Sequence, residues 1–210
     1  MSDVKISVAG RADAPRIAEL HAIRITEGFL PVLGTQFLTR LYRRITASDD
    51  AFAFVAHDRG PALGFCAVAL DVTALYKRFV MRDGVVAGTL AAPQILRHAP
   101  RVFETLRYPS HAGALPRAEV LAVAVDPSAA GRGVGRALVE RSQLELERRG
   151  ITEAKVVAGS NNAAALALYR ACGFEEVDRI HVHEGIESCV LVWRGRAEGI
   201  AIPSEESTLA

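Results

Sequence analysis

Residues 126–139, Asp-Pro-Ser-Ala-Ala-Gly-Arg-Gly-Val-Gly-Arg-Ala-Leu-Val, set three glycines and two arginines between two regular segments. An apolar, strand-like run from Val120 to Val125 precedes them, and a helix-like run ending at Gly150 follows. Glycine lets a backbone approach a ligand closely, and the first N–H groups of a helix have no partner inside it. They also sit at the positive end of the helix dipole, so an anion there gains both hydrogen bonds and field. The chemistry implied is the binding of a phosphorylated group.

Spacing narrows the choice. The dinucleotide fingerprint G-x-G-x-x-G needs a third glycine, and counting from Gly131 that place is taken by Arg136. The nucleoside-triphosphate loop needs Gly-Lys-Ser/Thr, which does not follow these glycines. The run Gly131-Arg132-Gly133-Val134-Gly135-Arg136 resembles the pyrophosphate loop of GNAT-type N-acetyltransferases, Gln/Arg-x-x-Gly-x-Gly/Ala, with Gly133 and Gly135 on its two glycines. Ala130 stands at the Gln/Arg position. The backbone N–H groups of residues 132–136 must therefore do most of the binding, with Arg132 and Arg136 as the sources of charge.

Asn161 to Phe174 resembles the second signature of that family, N-x-x-A-x-x-L-Y-x-x-x-G-F, matched in order by Asn162, Ala165, Leu168, Tyr169, Gly173 and Phe174. Ser160 or Asn161 can cap a helix here, Ala and Leu propagate it, and Gly173 can end it. Asn162 then falls in the first turn and Tyr169 about two turns later, where both can face one groove.

The resemblance implies acetyl-CoA as cosubstrate and no metal. It makes Gly131, Arg132, Gly133, Val134, Gly135, Arg136 and Asn162 cofactor-binding, with the pyrophosphate on the glycine turn and the pantetheine arm along Val123, Ala124 and Val125. It further implies transfer of the acetyl group to a primary amine by direct attack in a ternary complex. A backbone N–H near Val123 suits the oxyanion. Tyr169 takes the family's general-acid position, and Glu119, beginning the strand beside the cosubstrate, is the candidate base. A solvated strand-end charge is the competing reading of Glu119, and some family members use water relays with no single base.

The elements that must position these residues follow from periodicity. A first strand covers Ile6 to Val8, and Asp13 with Pro15 starts a helix on which Ile17, Leu20 and Arg24 share a face. Thr35 opens a second helix with Phe37, Leu41 and Ile45 in register. Strands follow at Phe52 to Ala56, Ala62 to Leu70, Ala118 to Val125 and Ala154 to Val157, with a closing hairpin around Gly185. This order implies an α/β (α+β) chain with the GNAT fold: a central mixed, mostly antiparallel sheet with a splayed strand pair, flanked by helices. One domain spans 1–195, with a helical insertion or lid at 71–116 between the third and fourth strands, and 196–210 is expected to be a flexible tail. In the insertion Lys77, Arg78, Arg82, Arg97, Arg101 and Arg107 outnumber Asp71, Asp83 and Glu104. Placed over the acceptor, it would favour an anionic or amphipathic amine, either a small molecule or a peptide amino group; a partner-docking or structural insertion is the alternative. His181 and His183 alternate with Ile180 and Val182, which places both on one face and points to the acceptor pocket more than to a metal. His21 reads as merely packed at the polar border of the first helix, and Cys172 as a small buried residue.

The chain has 210 residues, a formal net charge of +1 and half of its residues apolar, so no global field points to nucleic acid. Its three cysteines, Cys66, Cys172 and Cys189, form no C-x-x-C pair. With no apolar core of a signal peptide and no membrane-spanning run, a cytoplasmic protein is expected. A homodimer is left open. The alternative to an enzyme is a non-catalytic acyl-CoA-binding or sensor protein on the same fold, in keeping with Ala130.

Overall fold

A computed structural model describes residues 4–25, 30–83, 115–183 and 186–195. Among these, β1 (Lys5–Val8), β2 (Ala51–His57), β3 (Gly64–Ala69), β4 (Glu119–Val125), β5 (Glu153–Gly159), β6 (Phe174–His183) and β7 (Ile186–Arg194) form one sheet. Its order is β1-β2-β3-β4-β5-β7-β6. Neighbours pair antiparallel except β4 and β5, which are parallel. The helices are α1 (Ala14–Arg24), α2 (Thr35–Ile45), α3 (72–83), α4 (Val134–Arg148) and α5 (Ala163–Ala171). The periodicity predicts this element order, with boundaries moved by one or two residues.

Two cores sandwich the sheet. On one face Ile17 and Leu20 of α1, Leu38, Leu41 and Ile45 of α2, and Leu75 and Phe79 of α3 pack on Val55, Phe65, Ala122 and Ala124. On the other, Leu138 and Leu146 of α4 and Leu166 and Tyr169 of α5 pack on Phe54, Val120, Val156 and Leu191. β3 is buried along its whole length, so its side chains serve both cores.

The expected insertion begins as a helix. The Asp71 side chain accepts from the Ala74 N–H at 2.9 Å, the capping bond that starts α3. Phe79 meets Phe37 of α2 edge-on at 5.4 Å, and Arg44 pairs with Asp83 at 2.6 Å. Arg78 pairs with Asp50, so one of the cations expected over an acceptor is engaged within the fold. Residues 84–114, with Arg97, Arg101 and Arg107, lie outside the described residues, as does the tail 196–210.

Two irregularities shape β4. Ala67 pairs with Ala122 but Val68 with Val120, so Leu121 is an extra, bulged residue. A bulge bends its strand and increases the twist. Towards β5, Glu119↔Lys155 is the one pair in register, beside a 2.9 Å bond from the Lys155 N–H to the Ala118 carbonyl. Past that bridge the two strands part, as the expected splay requires.

His21 departs from the sequence reading. It is 3% exposed, not at a polar border, because helical spacing carries it from Ile17 into the core. Its ring lies nearly parallel to Phe65, with Nδ1 2.6 Å from Tyr42 Oη, and Nε2 has no partner among the described residues. Burial lowers its pKa from 6.5 to about 4. The unfolded chain therefore takes up the proton first, so stability is complete above about pH 6.5 and falls as pH drops towards about 4. Urea unfolding at about pH 7.5 and about pH 5 should show a loss of about 2 kcal/mol from this residue. The double variant His21→Leu/Tyr42→Phe should lack that part of the loss; an undiminished loss in it would refute the assignment.

Candidate functional site

The glycine-rich turn forms because β4 stops short of Asp126, whose side chain folds back on the following backbone. Asp126 Oδ1 accepts from the Ser128 N–H at 3.0 Å and from Ser128 Oγ at 2.7 Å, starting the 3-10 turn Pro127–Ala129. Gly131 (φ 73°) and Gly133 (φ 75°) are left-handed, a backbone that a Cβ would strain. A Cβ built on either would meet nothing within 4 Å, so the space above the turn is open. The residues present fit an anion there. Ala137 is the first residue of the helix start whose N–H finds an acceptor, the Gly133 carbonyl at 3.0 Å. Those of Gly133, Val134, Gly135 and Arg136 find none among the described residues. Gly135 lies deeper, 3.5 Å from Val125 and Leu168 by the same Cβ test. Arg132 is exposed, and Arg136 lies 2.7 Å from Glu140.

α1 braces this turn. Arg16 reaches Asp126 Oδ2 at 2.6 Å through Nη2 and the Ala62 carbonyl at 3.1 Å through Nε. It ties the end of β4 to the start of β3 from across the sheet. Hydrogen bonds from Ser128, then Arg16, hold the Asp126 carboxyl below its ordinary range.

The strand edge beside the turn is also open. The Asp126 N–H bonds the Leu63 carbonyl at 2.7 Å. Antiparallel alternation then turns the Ala124 N–H and C=O to β3 and those of Val123 and Val125 towards β5. Val123 and Val125 thus keep the open edge expected of them. Ala124 does not, since its backbone faces Phe65 and its side chain is buried in the opposite core.

Glu119 and Tyr169 lie on opposite faces of the sheet, near enough for the carboxylate charge to act on the phenol. Tyr169 lies among the α4 and α5 contacts, 5% exposed, with its ring 5.5 Å from Phe174. Burial, then the neighbouring Cys66, Cys172 and Glu119, pushes the phenol well above its ordinary pKa. Glu119 shares the other face with Leu121, and its side chain is 18% exposed. Burial raises its carboxyl, and Lys155 partly offsets this. Lys155 Nζ stands 3.4 Å from Glu119 Oε2 and donates to the Pro116 carbonyl at 2.7 Å. Tyr76 of α3 lies near enough to Glu119 to respond to its charge; burial first, then Glu119, pushes that phenol up to about 12. The reading of Glu119 as a solvated strand-end charge does not hold.

Asn162 is corrected as well. It is itself the N-cap of α5, its Oδ1 accepting from the Ala165 N–H at 3.1 Å. Neither Ser160 nor Asn161 caps, and Asn162 does not lie in the first turn. α5 ends at Gly173, φ 80°, as expected. The side chains of His181 and His183 lie outside the described residues; their backbones carry a register irregularity between them. Sequence reasoning passed over Lys155, Arg16 and Tyr76. A lysine inside the apolar run Ala154 to Val157 was a readable signal for the first. Arg16 and Asp126 are 110 residues apart, and no local pattern links them.

A family model described as the acetyltransferase (GNAT) family matches residues 23–174. Mycothiol acetyltransferase of Saccharomonospora viridis is 40% identical over 70 residues, 33% of this chain and 23% of that protein. The [ribosomal protein bS18]-alanine N-acetyltransferase of Escherichia coli K12 is 44% identical over 62 residues, 30% of this chain and 42% of that one. The chain thus spans less than half the length of these relatives. In structure, the ribosomal-protein-S18-alanine N-acetyltransferase of Escherichia coli superposes with a TM-score of 0.61 at 17% identity, covering 94% of this chain and 98% of that one. Arabidopsis thaliana NAA60 in complex with acetyl-CoA gives 0.61 at 14% identity, covering 91% and 98%. These likenesses show a shared fold.

The cap of Asn162 has a measurable consequence. Asn162→Ala should lower unfolding free energy by about 1 kcal/mol, and Asn162→Asp should retain most of it. Denaturant unfolding of the three proteins checks this; an unaffected Asn162→Ala would return the side chain to a purely ligand-binding role.

Proposed function

The chain belongs to the acetyltransferase (GNAT) family, and on that premise we propose that it is an N-acetyltransferase. It moves the acetyl group of acetyl-CoA to a primary amine by direct attack with both substrates bound. The observation that carries this reading is the continuity of unpaired backbone donors, from Val123 and Val125 on the open edge of β4 to Gly133–Arg136 at the start of α4. A bare strand edge takes an extended, amide-bearing chain as an added strand would. Bare helix-start N–H groups take a pyrophosphate. The spacing of the two along one path suits a coenzyme that has both parts.

Bound acetyl-CoA supplies an activated thioester whose sulfur can leave. The protein's residues then have separate tasks. The Val123 N–H, fixed by the β3–β4 ladder, faces the gap and can stabilise negative charge developing on a carbonyl oxygen. Glu119 is the candidate base that takes the proton from the incoming ammonium, directly or through water. Its raised carboxyl holds that proton better than a solvated glutamate would. Tyr169 keeps its proton at every working pH and can give it to the leaving sulfur. α3, the described start of the 71–116 insertion, packs on the face that carries Glu119, and this supports a role for the insertion over the acceptor. The acceptor is a small-molecule amine or a peptide amino group.

Calorimetric titration with acetyl-CoA and a thiol-release screen over amines, polyamines, amino sugars and peptides test the reading. Tyr169→Phe should leave the acetyl-CoA dissociation constant unchanged and lower kcat about 10²-fold or more. Binding without turnover on any acceptor would favour the sensor reading that Ala130 allows. No binding at all would sink both.

A further inference from the structure

We propose that Lys155 is a positioning residue: its ammonium, moored to the Pro116 carbonyl, holds the Glu119 carboxylate ionised beside the gap between β4 and β5. The inference rests on Glu119 being the base, and it concerns what keeps that base ready.

β5 alternates. Ala154 and Val156 enter the core under α4 and α5, so Lys155 between them projects to the opposite face, where Glu119 and Leu121 lie. The two side chains are 11% and 18% exposed. They belong to the one residue pair in register between these strands, where the gap begins. The ammonium has a second anchor, the Pro116 carbonyl at 2.7 Å, which fixes the cation without using the carboxylate. The ion pair itself is long. At 3.4 Å it exceeds the roughly 2.7–2.9 Å of a tight charge-assisted hydrogen bond. Glu119 is therefore held chiefly by charge, with one long contact to Lys155 in place of a short hydrogen bond. A carboxylate gripped by two short bonds would be a poor proton acceptor; one that is charged but loosely held is a good one.

Among the described residues the titratable groups that sense Glu119 are Lys155 of β5 and Tyr76 of α3 on its own face and Tyr169 of α5 from the other. Both phenols are neutral at working pH, so among the described residues Lys155 is the cation that opposes burial. Removing its charge leaves burial unopposed, and the carboxyl then takes up a proton at a higher pH. A protonated Glu119 cannot accept a proton from the amine. Activity should then be lost on the acid side and kept on the alkaline side.

The test compares the pH dependence of kcat/KM for the parent, Lys155→Met, Lys155→Gln, Lys155→Arg and Glu119→Gln, with acetyl-CoA binding as a check on folding. In the parent an acid limb should appear, and Glu119→Gln should abolish it. Lys155→Met and Lys155→Gln should move the limb up by about one pH unit or more, while Lys155→Arg leaves it in place. Carboxyl-labelled NMR titration of Glu119 should show the same displacement without turnover. A limb and an NMR titration that stay put in both neutral variants, with Glu119→Gln still abolishing the limb, overturn the role of Lys155 alone. A limb insensitive to Glu119→Gln overturns the base assignment and this proposal with it.

Discussion

A single bridged pair governs the middle of this molecule. Glu119↔Lys155 is where β4 and β5 meet in register; beyond it, the N–H and C=O groups of Val123 and Val125 face a gap. Backbone polar groups are obligatory hydrogen-bonding groups, and leaving them bare inside a sheet is costly. A seven-stranded sheet would ordinarily close such a gap. Here the extra residue at Leu121 bends β4, and both cores are packed from elsewhere: β2 and β3 carry Phe52, Phe54 and Phe65, and β7 carries Leu191 and Trp193. The sheet stays one piece because β5 is held firmly by β7 along the pairs from Glu153↔Arg194 to Gly159↔Ser188. The opening is a cost localised to one edge and supported on both sides.

Under the proposed reading, the same opening would let groups from the two faces act on one substrate. A continuous sheet would wall Glu119 off from Tyr169. The strands part just past the Glu119↔Lys155 pair, and the gap runs on towards the bare start of α4. Arg16 then links this region to α1. It holds Asp126 and the Ala62 carbonyl together, so the glycine turn is braced by α1 as well as by its own strand.

How much of this was legible depended on whether the determinant was local. The glycine turn, the Thr35 start of α2 and the Tyr169–Gly173 helix end were readable because each needs particular residues within a few positions. The splay was reached only through resemblance, since no periodicity reports a missing ladder. Asn162 was misplaced by one step because Ser160, Asn161 and Asn162 can all cap, and only the fold decides among them. His21 was misjudged because a polar residue suggests a border, while its partner, Tyr42, sits on a different helix. Lys155 was passed over because its meaning depends on a carboxylate 36 positions away, paired across strands that touch at one point.

Burial at first looks adverse to the role given to Tyr169. A phenol raised this far is a weak acid, and a thiolate in water would not take its proton. The surroundings act on sulfur too. Cys66 and Cys172, both near Tyr169, are pushed up to about 12 and about 11, in each case chiefly by burial. A thiolate formed on that side of the gap would meet the same low polarity and become correspondingly basic. Proton transfer depends on the difference between donor and acceptor, not on either value alone. The dry face that weakens the phenol also strengthens the base it must protonate. On the other face Glu119 shows the complementary arrangement: burial raises a carboxyl, and a fixed lysine limits the rise. On the proposed reading, the phenol that would have to stay neutral lies among apolar neighbours, and the carboxylate that would have to be charged has a cation beside it.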